Sequence, residues 1–304
     1  MRLRVHAQFT VIVALATAIV ALGEGQAPAS AQEVASAARA GRRIVAIGDV
    51  HGDLAHTRES LKLAGVIDAS DHWVAGNATF VQTGDVMDRG DDVRAILDLL
   101  RNLEKEASAA GGRAIELIGN HEMFNLVGDQ ASASPADMAS FGGEEARRAA
   151  FSPSGDYGAW LRTHKAVVIV DDTVFVHGGI TPEMARLGED AMNAGVLAYL
   201  NGGPQSSFVG RDGPLWFRGY AREAAPDACS LLGQALETLH VRRMVVGHTP
   251  SDDGRVIASC EGRVIDIDSG ISASFGTHPS ALEITDGDAW ATYATGKVDL
   301  PDPK

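Results

Sequence analysis

The 304 residues are 45% hydrophobic and 22% charged, enough apolar material for one large domain or two small ones and too much for a disordered chain. A formal net charge of -14, with no clustered run of Lys and Arg, argues against nucleic acid as a partner. Two cysteines, Cys229 and Cys260, are too few for a disulfide scaffold, and a single bridge or two buried thiols both fit.

From the N-terminus, Arg2 and Arg4 precede an apolar stretch, Phe9 to Gly23, and a small-residue site, Ala29-Ser30-Ala31. That order is the order of a secretory signal, and about 15 apolar residues are too few to span a bilayer comfortably. The expectation is a signal peptide over 1–31 and no stable membrane anchor after cleavage, a retained anchor being the alternative. The mature chain would then be periplasmic or secreted. Residues 32–42 are small and polar and read as a linker, 43–296 as the folded domain and 297–304 as a tail.

Short β-branched runs predict strands at 44–47, 79–82, 114–118, 166–170, 173–176, 243–246, 255–259, 263–267, 281–285 and 289–293. Apolar residues at three and four spacing predict helices over 55–64, 92–109, 182–200 and 228–239. Helices between the early strands imply parallel pairing, whereas Asp171-Asp172 and Asp286-Gly287 read as hairpin turns. The fold class is α/β with a mixed second sheet. Segment 129–158 lacks periodicity and reads as an irregular lid, binding surface or mobile stretch.

Five predicted strands end alike, in a glycine and residues that can bind metal: GDVHGD (Asp49, His51), TGDVMDRG (Asp85, Asp88, Arg89), GNHE (Asn120, His121), HGGI (His177) and GHTP (His248). In open α/β sheets the carboxyl ends of strands form the ligand crevice, so these loops are expected to converge. Asp49, His51, Asp85, Asn120, His177 and His248 then supply carboxylate, amide and imidazole donors for two ions of Mn, Fe or Zn, with Asp85 shared between them. His56, His72, His164, His240 and His278 lie outside these motifs and read as surface or core residues. Asp266 and Asp268, alternating near the last motif, read as capping or supporting groups.

The motifs GDVHG, GDVMDRG, GNHE, HGG and GHT resemble the signature set of the calcineurin-like metallophosphoesterases, and the Asp-Arg-Gly after the second resembles their phosphoprotein phosphatase branch. GNHEMFNLVGD, FVHGGI, GPLWFRG and RRMVVGHTP are similar to the bacterial Shewanella-like protein phosphatases, over about residues 43–276. The resemblance implies a four-layer α/β/β/α fold with a central β-sandwich, a binuclear metal centre and hydrolysis of phosphomonoesters on phosphoproteins or phosphopeptides. It implies direct attack by a metal-bridging hydroxide, with His121 as the acid for the leaving oxygen and Asp88 as its hydrogen-bond acceptor. Arg89 and Arg218 are the candidate clamps for the phosphoryl oxygens. Where the family continues past Gly128-Asp129 with Leu-Arg-Tyr, this chain has Gln130-Ala131-Ser132, so the cap beside the site is expected to differ. Two other readings are a dinucleoside polyphosphate hydrolase on the same metal centre and a non-catalytic metal-binding module. Neither the preference between phosphotyrosine and phosphoserine or phosphothreonine nor the oligomeric state can be read from these motifs.

Overall fold

A computed structural model describes residues 42–221 and 227–303, so the expected signal peptide at 1–31 and all of the linker except Arg42 lie outside the described residues. Among the described residues no helix is long and apolar enough to cross a membrane. In chain order the strands are β1 (Arg43–Ile47), β2 (Thr79–Gln82), β3 (Arg113–Glu116), β4 (Val167–Val170), β5 (Thr173–Val176), β6 (Arg243–Val246), β7 (Ile257–Ser259), β8 (Val264–Asp266), β9 (Ala281–Thr285), β10 (Asp288–Tyr293) and β11 (Gly296–Asp299). The helices are α1 (Leu54–Leu63), α2 (Val93–Ala109), α3 (Asn120–Leu126), α4 (Pro135–Ser140), α5 (Glu144–Phe151), α6 (Asp156–Leu161), α7 (Pro182–Leu187), α8 (Glu189–Leu200) and α9 (Ala228–Leu239).

One sheet has the order β11-β10-β9-β1-β2-β3 and the other β4-β5-β6-β8-β7. β1, β2 and β3 run parallel, in register Ile44 with Thr79 and Thr79 with Arg113. β4–β5 and β9–β10 are the two expected hairpins. Strand alternation divides each apolar run between two cores. Ile44, Ala46, Val81 and Leu282 of the first sheet meet Val168, Phe175, Val245 and Ile265 of the second. Their neighbours Val45, Ile47 and Phe80 face away, in a cluster with Leu61, Ile96, Leu100 and Leu103 of α1 and α2. Val174, Val176, Met244 and Val246 do the same with Met184, Leu232 and Leu236 of α7 and α9. The result is the four-layer α/β/β/α arrangement, two sheets face to face with helices outside.

Four details depart from the expectations. The helix read over 182–200 is two helices, α7 and α8, because Gly188 turns the chain at φ +85°. The "irregular" segment 129–158 is largely helical, folding into α4, α5 and the first half of α6. Asn120 and His121, expected in a loop, open α3, with Gly119 as its N-cap. The domain also runs past residue 296, since β11, which straddles the expected start of the tail, pairs antiparallel with β10.

Cys229 on α9 and Cys260 after β7 form a disulfide, with Cα atoms 5.4 Å apart. Closing a loop of 31 residues restricts the unfolded chain by about 3–4 kcal/mol in the chain-entropy treatment. It ties the outer helix α9 to the edge of the second sheet.

Candidate metal centre

All five ligand-bearing loops leave the carboxyl ends of β1, β2, β3, β5 and β6, and the parallel register of those strands delivers them to one edge of the sandwich. The approach is close enough to require particular backbones. His51, Asp85, Asp88, Arg89 and His248 all adopt positive φ, between 40° and 70°, a conformation L-residues hold only where the surroundings impose it. A Cβ at Gly119 would meet the Asp85 side chain, so no other residue fits there.

Two groups of ligand atoms share one residue. Asp85 lies with His51 and His121 on one side, and with His177 and His248 on the other. His177 Nδ1 is 3.0 Å from the Thr83 carbonyl oxygen, which can only accept, so Nδ1 carries the proton and Nε2 a lone pair. That lone pair faces two further acceptors, Asn120 Oδ1 at 3.0 Å and Asp85 Oδ1 at 3.3 Å. His51 repeats the pattern: Nδ1 donates to Met87 O at 3.1 Å, while Nε2 faces Asp85 Oδ2 at 3.7 Å and Asp49 Oδ2 at 3.9 Å. Acceptors converging on acceptors with no proton between them are what a cation would bridge, and carbonyl-oriented imidazoles are what metal ligation requires. His248 Nε2 is also buried without a hydrogen-bond partner. The residues present therefore fit two cations.

The electrostatics agree. Burial, helped by nearby Asp268 and Asp85, pushes the Asp49 carboxyl well above the usual range, a like-charge repulsion that divalent cations would relieve. Burial lowers His51 to about 4, and burial with His177 and Arg218 lowers His248 still further, leaving both rings neutral. Burial would raise Asp85 too, but positive charge on the adjacent imidazoles outweighs it and lowers its pKa; with those rings neutral, bound cations would supply that charge.

Beside this centre His121 Nδ1 donates to Asp88 Oδ2 at 2.7 Å, while Nε2 points back toward Asp85 Oδ2 at 4.0 Å. Burial would lower the His121 pKa, but Asp88 and Asp85 overcome it and raise it above the ordinary histidine value. Arg218 spans the loop after β6, its Nη1 donating to the His248 carbonyl oxygen and, at 3.1 Å, to Thr249 Oγ1. Arg89 is exposed at the rim with its guanidinium 5.3 Å from the Phe275 ring, which lies 4.9 Å from His51. Every residue singled out from the sequence thus lies in or on the rim of one site.

The site also uses residues that the sequence reading did not single out. Glu122 accepts four backbone N–H groups, from Asp85, Val86, Met87 and Gly119, at 2.7–3.1 Å, clamping the β2 and β3 loops together. Asn125, one turn after His121, donates to Asp88 Oδ1 at 3.0 Å. Arg147 of α5 is fully buried; its Nε donates to Asp137 at 2.7 Å, its Nη1 to Asn125 and to Gln130, and its Nη2 lies 3.6 Å from Asp88. The GNHE motif was the signal for Glu122; nothing local marks Arg147, whose partners lie 10 to 59 positions away.

Parallel strands delivering acidic and histidine ligands to a shared-carboxylate centre, with a carboxylate-oriented histidine beside it, define a metal-dependent phosphoester hydrolase. The sequence profile of the "Calcineurin-like phosphoesterase" family matches residues 42–252. The chain belongs to this family and, within it, to the Shewanella-like protein phosphatases. It is 36% identical to an uncharacterised Schizosaccharomyces pombe protein, covering 81% of this chain and 78% of that one. It is 33% identical to Shewanella-like protein phosphatase 2 of Arabidopsis thaliana, covering 80% and 75%. Among solved structures, the cold-active protein-tyrosine phosphatase of a psychrophilic Shewanella species superposes with a TM-score of 0.77 at 28% identity, over 85% of this chain and 80% of that one.

Proposed function

We propose that this metal-dependent protein phosphatase binds two ions of Mn, Fe or Zn through Asp49, His51, Asp85, Asn120, His177 and His248, and that it prefers phosphotyrosine. The observation that carries the metal assignment is the lone-pair convergence on Asp85 from both sides. Bound there, two cations would polarise the phosphoryl oxygens and lower the pKa of a water. As an imidazolium, favoured by the neighbouring Asp88 and Asp85 carboxylates, His121 donates from Nδ1 to Asp88 and holds a second proton at Nε2, where it can pass to the leaving oxygen. Asn125, donating to Asp88 Oδ1, and Arg147, 3.6 Å from it, in turn orient that carboxylate.

Arg218, placed against the His248 loop, is the stronger clamp for the phosphoryl oxygens, and Arg89 at the rim the second. Arg218→Ala should lower kcat/KM by about 100-fold without loss of bound metal. Unchanged turnover, or loss of metal alongside activity, would remove the clamp role.

The tyrosine preference rests on a cavity of about 740 Å³ adjoining the centre, lined by Phe124, Tyr199, Trp216, Phe217 and Arg218. Phe124 stacks edge-on to His121 at 5.7 Å and Trp216 to His248 at 5.6 Å, so aromatic walls run from the cavity to the reacting position. A phenyl phosphate fills such a wall; a serine methylene leaves it wet. The similar Shewanella protein is a protein-tyrosine phosphatase, which supports the same preference. Turnover of matched phosphotyrosine and phosphoserine peptides should differ by about 10- to 100-fold in kcat/KM. Equal rates or a serine preference would refute it. The disulfide between Cys229 and Cys260 supports export to an oxidising compartment, periplasmic or extracellular, as the N-terminal signal also suggests.

A further inference from the structure

Away from the active centre, we infer that Glu104, Glu116 and His164 form a separate divalent-cation site, with Zn²⁺ the best fit to its donors. The three come from different elements: Glu104 from α2, Glu116 from the last position of edge strand β3, and His164 from the turn between α6 and β4. One ligand atom from each lies within 4.8 Å of the others.

The observation pointing to a ligand is a set of buried polar groups that face one another without a satisfied hydrogen bond. Glu116 is 4% exposed, yet neither of its carboxylate oxygens meets a hydrogen-bond partner. Neither ring nitrogen of His164 makes a hydrogen bond either, although its side chain is only 6% exposed and Nε2 stands 3.3 Å from Glu104 Oε1. Glu104 Oε2 accepts the Trp160 indole N–H at 2.9 Å, which orients that carboxylate and leaves Oε1 for a ligand. Among the described residues neither carboxylate pairs with a lysine or arginine.

Burying two carboxylates side by side without compensation is costly, so the pair must hold either a proton or a cation. In the absence of a cation, burial and Glu104 push the Glu116 carboxyl well up, toward holding that proton. Two oxygens and one imidazole nitrogen, without thiolate, suit Zn²⁺ with water completing the shell. Glu104 has 29% of its side chain exposed, which leaves a path for entry. A cation here would fasten the end of the helical cap segment to β3, where Leu117 already bridges to Lys165.

The test is zinc content per chain by elemental analysis after Zn²⁺ loading and desalting, for wild type, Glu116→Gln and His164→Ala. Zinc held at the active centre is common to all three and cancels. Wild type should retain one more zinc than either variant, with phosphatase activity preserved in the variants. Zn²⁺ at a hundredfold excess over its dissociation constant should also raise the wild-type Tm above that of the variants by about 5 °C. Equal zinc in all three, with no difference in Tm response, would overturn the site and leave a proton shared between the two carboxyls.

Discussion

Asp85→Asn should lower kcat/KM by about 10⁴-fold and leave the chain folded but poor in metal. The reasoning starts from the two carboxylate oxygens. Oδ1 lies 3.3 Å from His177 Nε2, and Oδ2 lies 3.7 Å from His51 Nε2, so one side chain serves both groups of ligands. Asparagine keeps one oxygen and replaces the other with an NH₂ that can donate but cannot ligate. It also removes the negative charge that two bound cations would share. The loop itself should survive, because Glu122 holds its backbone and asparagine tolerates the positive φ of 56° at this position. Elemental analysis, circular dichroism and steady-state turnover separate the outcomes. A folded variant that keeps both its metal and its activity would exclude Asp85 as the shared ligand.

His121→Ala should cost between about 10² and 10⁴ in kcat, and the cost should depend on the leaving group. A serine alkoxide is far more basic than a phenolate, whose parent acid has a pKa of about 10, so serine esters depend more on the proton at Nε2. Removing His121 should therefore penalise a phosphoserine peptide more than a phosphotyrosine peptide, widening the preference set by the aromatic cavity. Bound metal should be largely retained, since Asp85 keeps its contacts with His51, His177 and the remaining ligands. Equal losses on both substrates would count against His121 as the acid. Its proximity to Asp85, 4.0 Å from Nε2, would then point to a role in the metal shell.

The catalytic face was legible because its signal is local and repeated. Each of five β-branched runs carries its chemistry within a few residues of the strand end, and parallel pairing does the rest. The cap was not legible for a physical reason: α4, α5 and α6 have 6 to 8 residues each, too short for an apolar stripe to repeat. β11 escaped notice because all four of its residues are exposed, so it shows no alternation. Long-range polar contacts were the other blind spot. Gln130, where the chain departs from the family's Leu-Arg-Tyr, turns out to accept from the buried Arg147, and Ser132 accepts the Arg89 backbone N–H at 2.9 Å. The altered stretch thus belongs to the scaffold behind Asp88 and Arg89. His164, read as an ordinary surface or core histidine, gains meaning only from Glu104 and Glu116, 60 and 48 positions away.

The central claim, that the centre around Asp85 hydrolyses phosphoproteins through bound metal, is tested most directly by one assay. Protein stripped with a chelator and then titrated with Mn²⁺ is followed on a phosphotyrosine peptide. The account predicts no turnover in the stripped protein and full recovery on titration, with no recovery in Asp85→Asn. Turnover that persists undiminished in the stripped protein would contradict it.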